Sequence, residues 1–120
     1  MKLDALARIR KLCLALPETL EKEAWGAPTF RARNRMFAMF VENHHGDGRT
    51  AVWVKAPPDA QRAAVQDDPE NLFVPPYMGP KGWIGVRLDR GISWKVVSAF
   101  LEQAHRWTAP PLPARSPGKR

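Results

Sequence analysis

Thr29-Phe30-Arg31-Ala32-Arg33-Asn34-Arg35-Met36-Phe37-Ala38-Met39-Phe40-Val41 decides the fold. From Phe30 to Arg33 apolar and basic residues alternate with a period of two, the pattern of a strand with one buried face. Asn34 tolerates the left-handed backbone region, so the chain turns there and Met36 to Val41 returns antiparallel to the first run. Working outward, residues 19–25 read as a preceding strand, set apart by the break at Gly26-Ala27-Pro28. After the glycine-containing loop from Glu42 to Gly48, Thr50-Ala51-Val52-Trp53-Val54-Lys55 is a fourth strand.

Helices bracket this set. Leu3, Leu6, Ile9, Cys13 and Leu16 draw one apolar stripe, which Pro17 closes. Pro57-Pro58 suits the opening turn of a helix reaching Asp67. The stretch through Pro75-Pro76-Tyr77-Met78-Gly79-Pro80 is irregular, and Trp83-Ile84-Gly85-Val86-Arg87-Leu88 alternates again as a strand. Ser93 is placed as the N-cap of a last helix whose face is Trp94, Val97, Leu101 and Ala104. Helix, four strands, helix, strand, helix predicts an α+β domain of two layers, an antiparallel sheet with helices packed on one face.

A chain of 120 residues has the size of one domain and can bury about two-thirds of its unfolded surface. The expected organisation is a domain over residues 1–108 and a Pro-rich basic tail, 109–120, extended and mobile. The lone Cys13 excludes an internal disulfide and a cysteine-based zinc cluster. Charged residues interrupt the N-terminal apolar stretch and no run of apolar residues is long enough to span a bilayer, so the expected location is the cytoplasm, with no membrane association. A monomer is the default expectation. The formal net charge of +7 attracts polyanions at low salt, although Arg115, Lys119 and Arg120 of the tail carry three of those charges.

A second set of residues carries a resemblance. Leu16-Pro17-Glu18, Trp25-Gly26-Ala27-Pro28-Thr29-Phe30-Arg31, Met36-Phe37-Ala38, Val54-Lys55, Phe73-Val74-Pro75-Pro76-Tyr77, Gly82-Trp83 and Ala109-Pro110 resemble, in order and spacing, the MmcQ/YjbR family over roughly residues 3–112. The resemblance implies a two-layer α+β sandwich with an antiparallel sheet. It also implies a DNA-binding label, without a catalytic set or a recognition helix to carry over. At the turn this chain has Asn34-Arg35 where the family often has Gly then Lys, which keeps the positive charge.

Strand parity organises the candidate site. If Phe30, Ala32, Val52, Val54, Ile84, Val86 and Leu88 face the helices, then Arg31, Arg33, Trp53, Lys55, Trp83 and Arg87 face away. Arginine and lysine supply phosphate contacts and tryptophan a stacking plane, the combination of sheet platforms that bind single strands. Lys81, beside Tyr77 and Trp83, is a candidate rim for a small anion pocket. The expected function is therefore non-enzymatic binding of nucleic acid (DNA) with little sequence preference. The alternative is a protein-interaction or small-ligand module using the same surface, for instance toward an acidic protein partner. Catalytic residues, cofactors and metals are expected to be none: Glu18, Glu21 and Glu23 read as charge balance across strands, and Cys13 as packing. The adjacent pair His44-His45 has no further ligands for a metal in view.

Overall fold

Of the nine α-helices and β-strands among the described residues, eight follow from the patterns above, and the ninth is the short strand at Leu72-Phe73. The computed structural model describes residues 2–109; the tail expected over 109–120 lies outside that range from residue 110 on. In chain order the elements are α1 (Lys2–Leu14), β1 (Thr19–Ala24), β2 (Ala27–Ala32), β3 (Arg35–Glu42), β4 (Thr50–Val54), α2 (Ala60–Asp67), β5 (Leu72–Phe73), β6 (Ile84–Arg87) and α3 (Trp94–Thr108). The strands form one sheet in the order β1-β2-β3-β4-β6-β5, with every neighbouring pair antiparallel. The protein is an α+β fold with all three helices on one face of the sheet.

Two turns set the left half of the sheet. Arg33 and Asn34 have φ of 52° and 67°, a two-residue turn whose twist matches its flanking strands. Trp25 and Gly26, at 53° and 74°, make a second turn of the same kind between β1 and β2. The break therefore falls one residue earlier than Gly26-Ala27-Pro28 suggested, and β2 begins at Ala27.

The register confirms the parity of the sheet. Phe30 pairs with Ala38, Val54 with both Ala38 and Ile84, and Val52 with both Phe40 and Val86. All of them pack against Ile9 and Cys13 of α1 and Val97, Leu101 and Ala104 of α3. Each such side chain contributes about 1.5–3 kcal/mol when fully buried, so this layer is the main source of stability. A bulge interrupts β3: the pairing with β2 steps from Ala38 to Met36, leaving Phe37 unpaired and also turned into the helical core.

The ends of the helices are tied down locally. Ser93 Oγ accepts a hydrogen bond from the Lys95 amide at 3.2 Å, satisfying one free donor of α3. At the other end His105, buried and edge-on to Phe37, donates from Nε2 to the Pro17 carbonyl at 2.7 Å. That bond joins the last turn of α3 to the loop after α1. Among the described residues no helix is long and apolar enough to cross a membrane.

Candidate functional site

The face turned away from the helices carries its own apolar cluster. Met39, Val41, Ala51, Trp53 and Trp83 are buried there, with Ala27, Met36, Phe73 and Met78 packed against them. Parity thus puts Trp53 and Trp83 on the predicted side, but their indoles are 2% and 3% exposed and offer no free stacking plane. Phe73 of β5 and Met78 of the irregular Pro-rich segment that follows pack against this cluster, and the His44 ring packs edge-on to Trp53. The Pro-rich segment staples itself through backbone bonds such as Gly79 N–H to Pro75 O, 2.8 Å, and Gly82 N–H to Gly79 O, 2.9 Å. Gln61 of α2 clamps it by donating to the carbonyls of Gly79 and Trp83 at 3.0 and 2.6 Å. Coil of this kind has no hydrophobic period, which is why the sequence left the tryptophans exposed.

The predicted basic residues are dispersed in role. Arg33 lies on the β2–β3 turn rather than on a strand face, and its Nε donates to Glu18 at 2.6 Å. Arg87 is on the helix-free face opposite Ala51, where it binds Asp89 through two bonds of 3.0 Å. That pair, helped by the Thr50 amide and opposed by burial, holds the Asp89 carboxyl below the usual carboxylate range. Lys81 is exposed on a single 3₁₀ turn, Gly79–Lys81, and does not line the cleft described below; Trp83 beside it is buried, so the proposed anion rim has lost one wall. Arg31 remains on the helix-free face, half-buried and paired with Met36, while half-buried Lys55 lies just past β4 with its amide donating to the Phe37 carbonyl at 3.0 Å. Among the carboxylates, Glu18 pairs with Arg33 at the end of the β1–β2 ladder, whereas Glu21 pairs with Arg10 of α1 and not across strands. Burial, and after it the charge of Glu21, pushes the Cys13 thiol up to about 12.

A feature the sequence did not single out lies at the other end of this face. β2 stays paired to β1 as far as Ala24-Ala27, but its pairing with β3 ends at Thr29-Met39. The tip of the β1–β2 hairpin therefore parts from β3, and a cleft of about 650 Å³ opens between them. It reaches both cores: Leu6 and Phe40 come from the helical side, Met39, Val41 and Trp53 from the other. Trp25 and Tyr77 stand at its walls with Met78, and among the described residues Glu42, His44 and Tyr77 are its ionisable lining groups.

The aromatic groups at the cleft are held in order by one another. The His44 ring lies 5.1 Å from Trp53, 5.9 Å from Tyr77 and 4.2 Å from His45, centroid to centroid, all edge-on. Tyr77 Oη and His45 Nε2 are 3.3 Å apart. Trp25 and Tyr77 are 77% and 71% exposed, although both are large aromatic residues. Both also have positive φ, 53° and 66°, which is unusual for bulky side chains. Asn43 and His45, in the loop that flanks the cleft, share that strained conformation at 52° and 50°. The sequence signal was present in the Trp25-Gly26 pair, since a bulky residue before a turn glycine takes a position that asparagine or glycine fills more easily. Among the described residues no group of three His, Cys, Asp or Glu is placed to hold a metal ion.

Fold and cleft together define a two-layer α+β domain with an aromatic recess on the sheet face opposite its helices. The chain belongs to the YjbR family, whose model matches residues 14–107. Its fold is similar to that in the crystal structure of Deinococcus radiodurans protein DR2400, a DUF419 domain, with a TM-score of 0.71 and 16% sequence identity over 96% of this chain and 95% of the other. No curated protein matches the sequence.

Proposed function

We propose that this protein is a binding module whose cleft receives a small ring-bearing ligand between the β1–β2 hairpin tip and the Tyr77-Met78 wall. The observation that carries this reading is the pairing of exposure with strain at Trp25 and Tyr77. Each exposes most of a large apolar surface and each occupies a backbone region costly to such residues, and strain of this kind clusters at ligand-binding sites. The cleft's volume falls in the range of small-molecule sites, roughly 300–1,000 Å³. Met39 and Met78 give it walls that adapt to shape. N-phenyl-1-naphthylamine, a neutral fluorescent probe, should bind saturably with one site per chain. Trp25→Ala and Tyr77→Ala should each weaken it by about tenfold while the chain stays folded by circular dichroism. Wild-type affinity in both variants would overturn the reading.

A second reading keeps nucleic acid as partner, supported by two half-buried cations on neighbouring parts of the sheet, Arg31 on the helix-free face and Lys55 just past the end of β4. Two phosphate contacts predict a log–log salt slope of about −2 for duplex DNA, falling by about one unit in Arg31→Ala. A slope near zero, or one untouched by both Arg31→Ala and Lys55→Ala, counts against it.

A further inference from the structure

Of the five rings at or beside the cleft, four are tied to one another and one is not. His44, His45, Trp53 and Tyr77 form a continuous edge-on cluster, with centroids between 4.2 and 6.3 Å apart. Trp25, on the hairpin tip, makes no ring contact among the described residues, and 77% of it is exposed. From this division we infer that the cleft selects flat aromatic ligands over saturated rings of the same carbon skeleton, with Trp25 as the free wall against which such a ring stacks. This rests on the small-ligand reading above and specifies the class of ligand.

Burial of apolar surface works against this preference. A saturated bicycle carries more hydrogens than its aromatic counterpart and removes at least as much apolar surface from water, so the hydrophobic effect ranks it equal or higher. Ring electrostatics rank the two the other way. An aromatic ring has a negative face and a positive edge, and it gains from an offset or edge-on partner beyond the area it buries. Trp25 and Tyr77, both on the lining and both mostly exposed, are free to be such partners. The thioethers of Met39 and Met78 on the same lining add contacts that favour aromatic rings over aliphatic ones. One such contact is worth a factor of about 2–10 in affinity, so two together give roughly a tenfold preference. Area and ring electrostatics therefore make opposite predictions, and that makes the inference decidable.

The experiment titrates the full chain at neutral pH with 2-naphthol and with its fully reduced counterpart decahydro-2-naphthol, two alcohols of one carbon skeleton. Amide shifts are read by NMR in wild type, Trp25→Ala and Trp25→Leu, and the dispersion of the same spectra reports that each variant is folded. In wild type 2-naphthol should bind about tenfold more tightly than the reduced alcohol. Trp25→Leu keeps an apolar side chain on the hairpin tip but removes the ring, and should cut that ratio to about threefold or less. If the reduced alcohol binds as tightly as 2-naphthol, with both weakened by Trp25→Ala, the aromatic inference fails and the cleft reading stands. A tenfold ratio that Trp25→Leu leaves intact overturns the inference too, because the selecting ring is then not Trp25. If neither alcohol shows saturable binding that Trp25→Ala weakens, the cleft reading fails and the inference with it.

Discussion

Replacing Trp25 by asparagine sets two opposing terms against each other, and the structure gives the size of both. With φ at 53°, the tryptophan sits in the left-handed region, which costs an L-residue about 1–2 kcal/mol, and asparagine is among the residues that suffer least there. Because Trp25 is 77% exposed, it buries less than a quarter of its surface. That is on the order of 60 Å², or about 1.5 kcal/mol at roughly 25 cal/mol per Å². The terms nearly cancel, so Trp25→Asn should leave stability within about 1 kcal/mol of wild type while removing one wall of the cleft. Trp53, 2% exposed and packed against the His44 ring, has no such compensation, and Trp53→Ala should lose about 3–5 kcal/mol as a core truncation. Urea unfolding monitored by circular dichroism measures both, with similar m-values as the control for compactness. A loss above about 2 kcal/mol for Trp25→Asn would make Trp25 a structural anchor, and a loss below about 1 kcal/mol for Trp53→Ala would return Trp53 to the surface. Either result refutes the assignment of the two indoles to opposite roles.

Other perturbations test separate parts of the structure. Asp89→Asn should cost about 1 kcal/mol at neutral pH, since it weakens a charge-assisted pair that is still partly open to solvent. Because the folded carboxyl titrates below its unfolded value of about 3.9, the wild-type advantage holds above that pH and fades as pH falls through the folded pKa; a gap that widens in acid would contradict the pairing. Cys13, buried and with its thiol pushed up to about 12, should resist alkylation at pH 8 until the protein unfolds, and stoichiometric labelling of the native chain would show that the face of α1 carrying it is not packed into the core. Ser93→Ala should lower stability by about 1 kcal/mol through the lost cap on α3, read as a shift of the urea midpoint, whereas Ser93→Asp should retain most of it.

The sheet was legible because alternation is a local signal: Phe30, Ala32, Val52, Val54, Ile84 and Val86 could be assigned to one face before any pairing was known. Ser93 was legible for the same reason, since a cap acts over two residues. The site was less so. That Trp53 and Trp83 are covered depends on the path of residues 74–82, which is set by turns, buried Pro75 and the long-range clamp from Gln61, none of which has a period in sequence. Arg33 fell on the wrong side of a boundary by one position, and on a two-residue turn one position exchanges a strand face for a loop. The cleft arises where two strands stop pairing, and the loss of a register is written in neither strand alone.

Phe37, which has no partner on β2 although its carbonyl accepts from Lys55, bears on how this sheet can be edited. Met36 and Met39 look toward the same side although three positions separate them, because the extra residue between them resets the alternation. Removing Phe37 would make Met36 and Ala38 neighbours on opposite faces and restore a plain two-residue alternation with both ends of β3 on their present sides, at the cost of the Phe37 ring in the helical core. Any graft or swap between this sheet and another must therefore count equivalent positions across the rungs of the ladder, not along the strand.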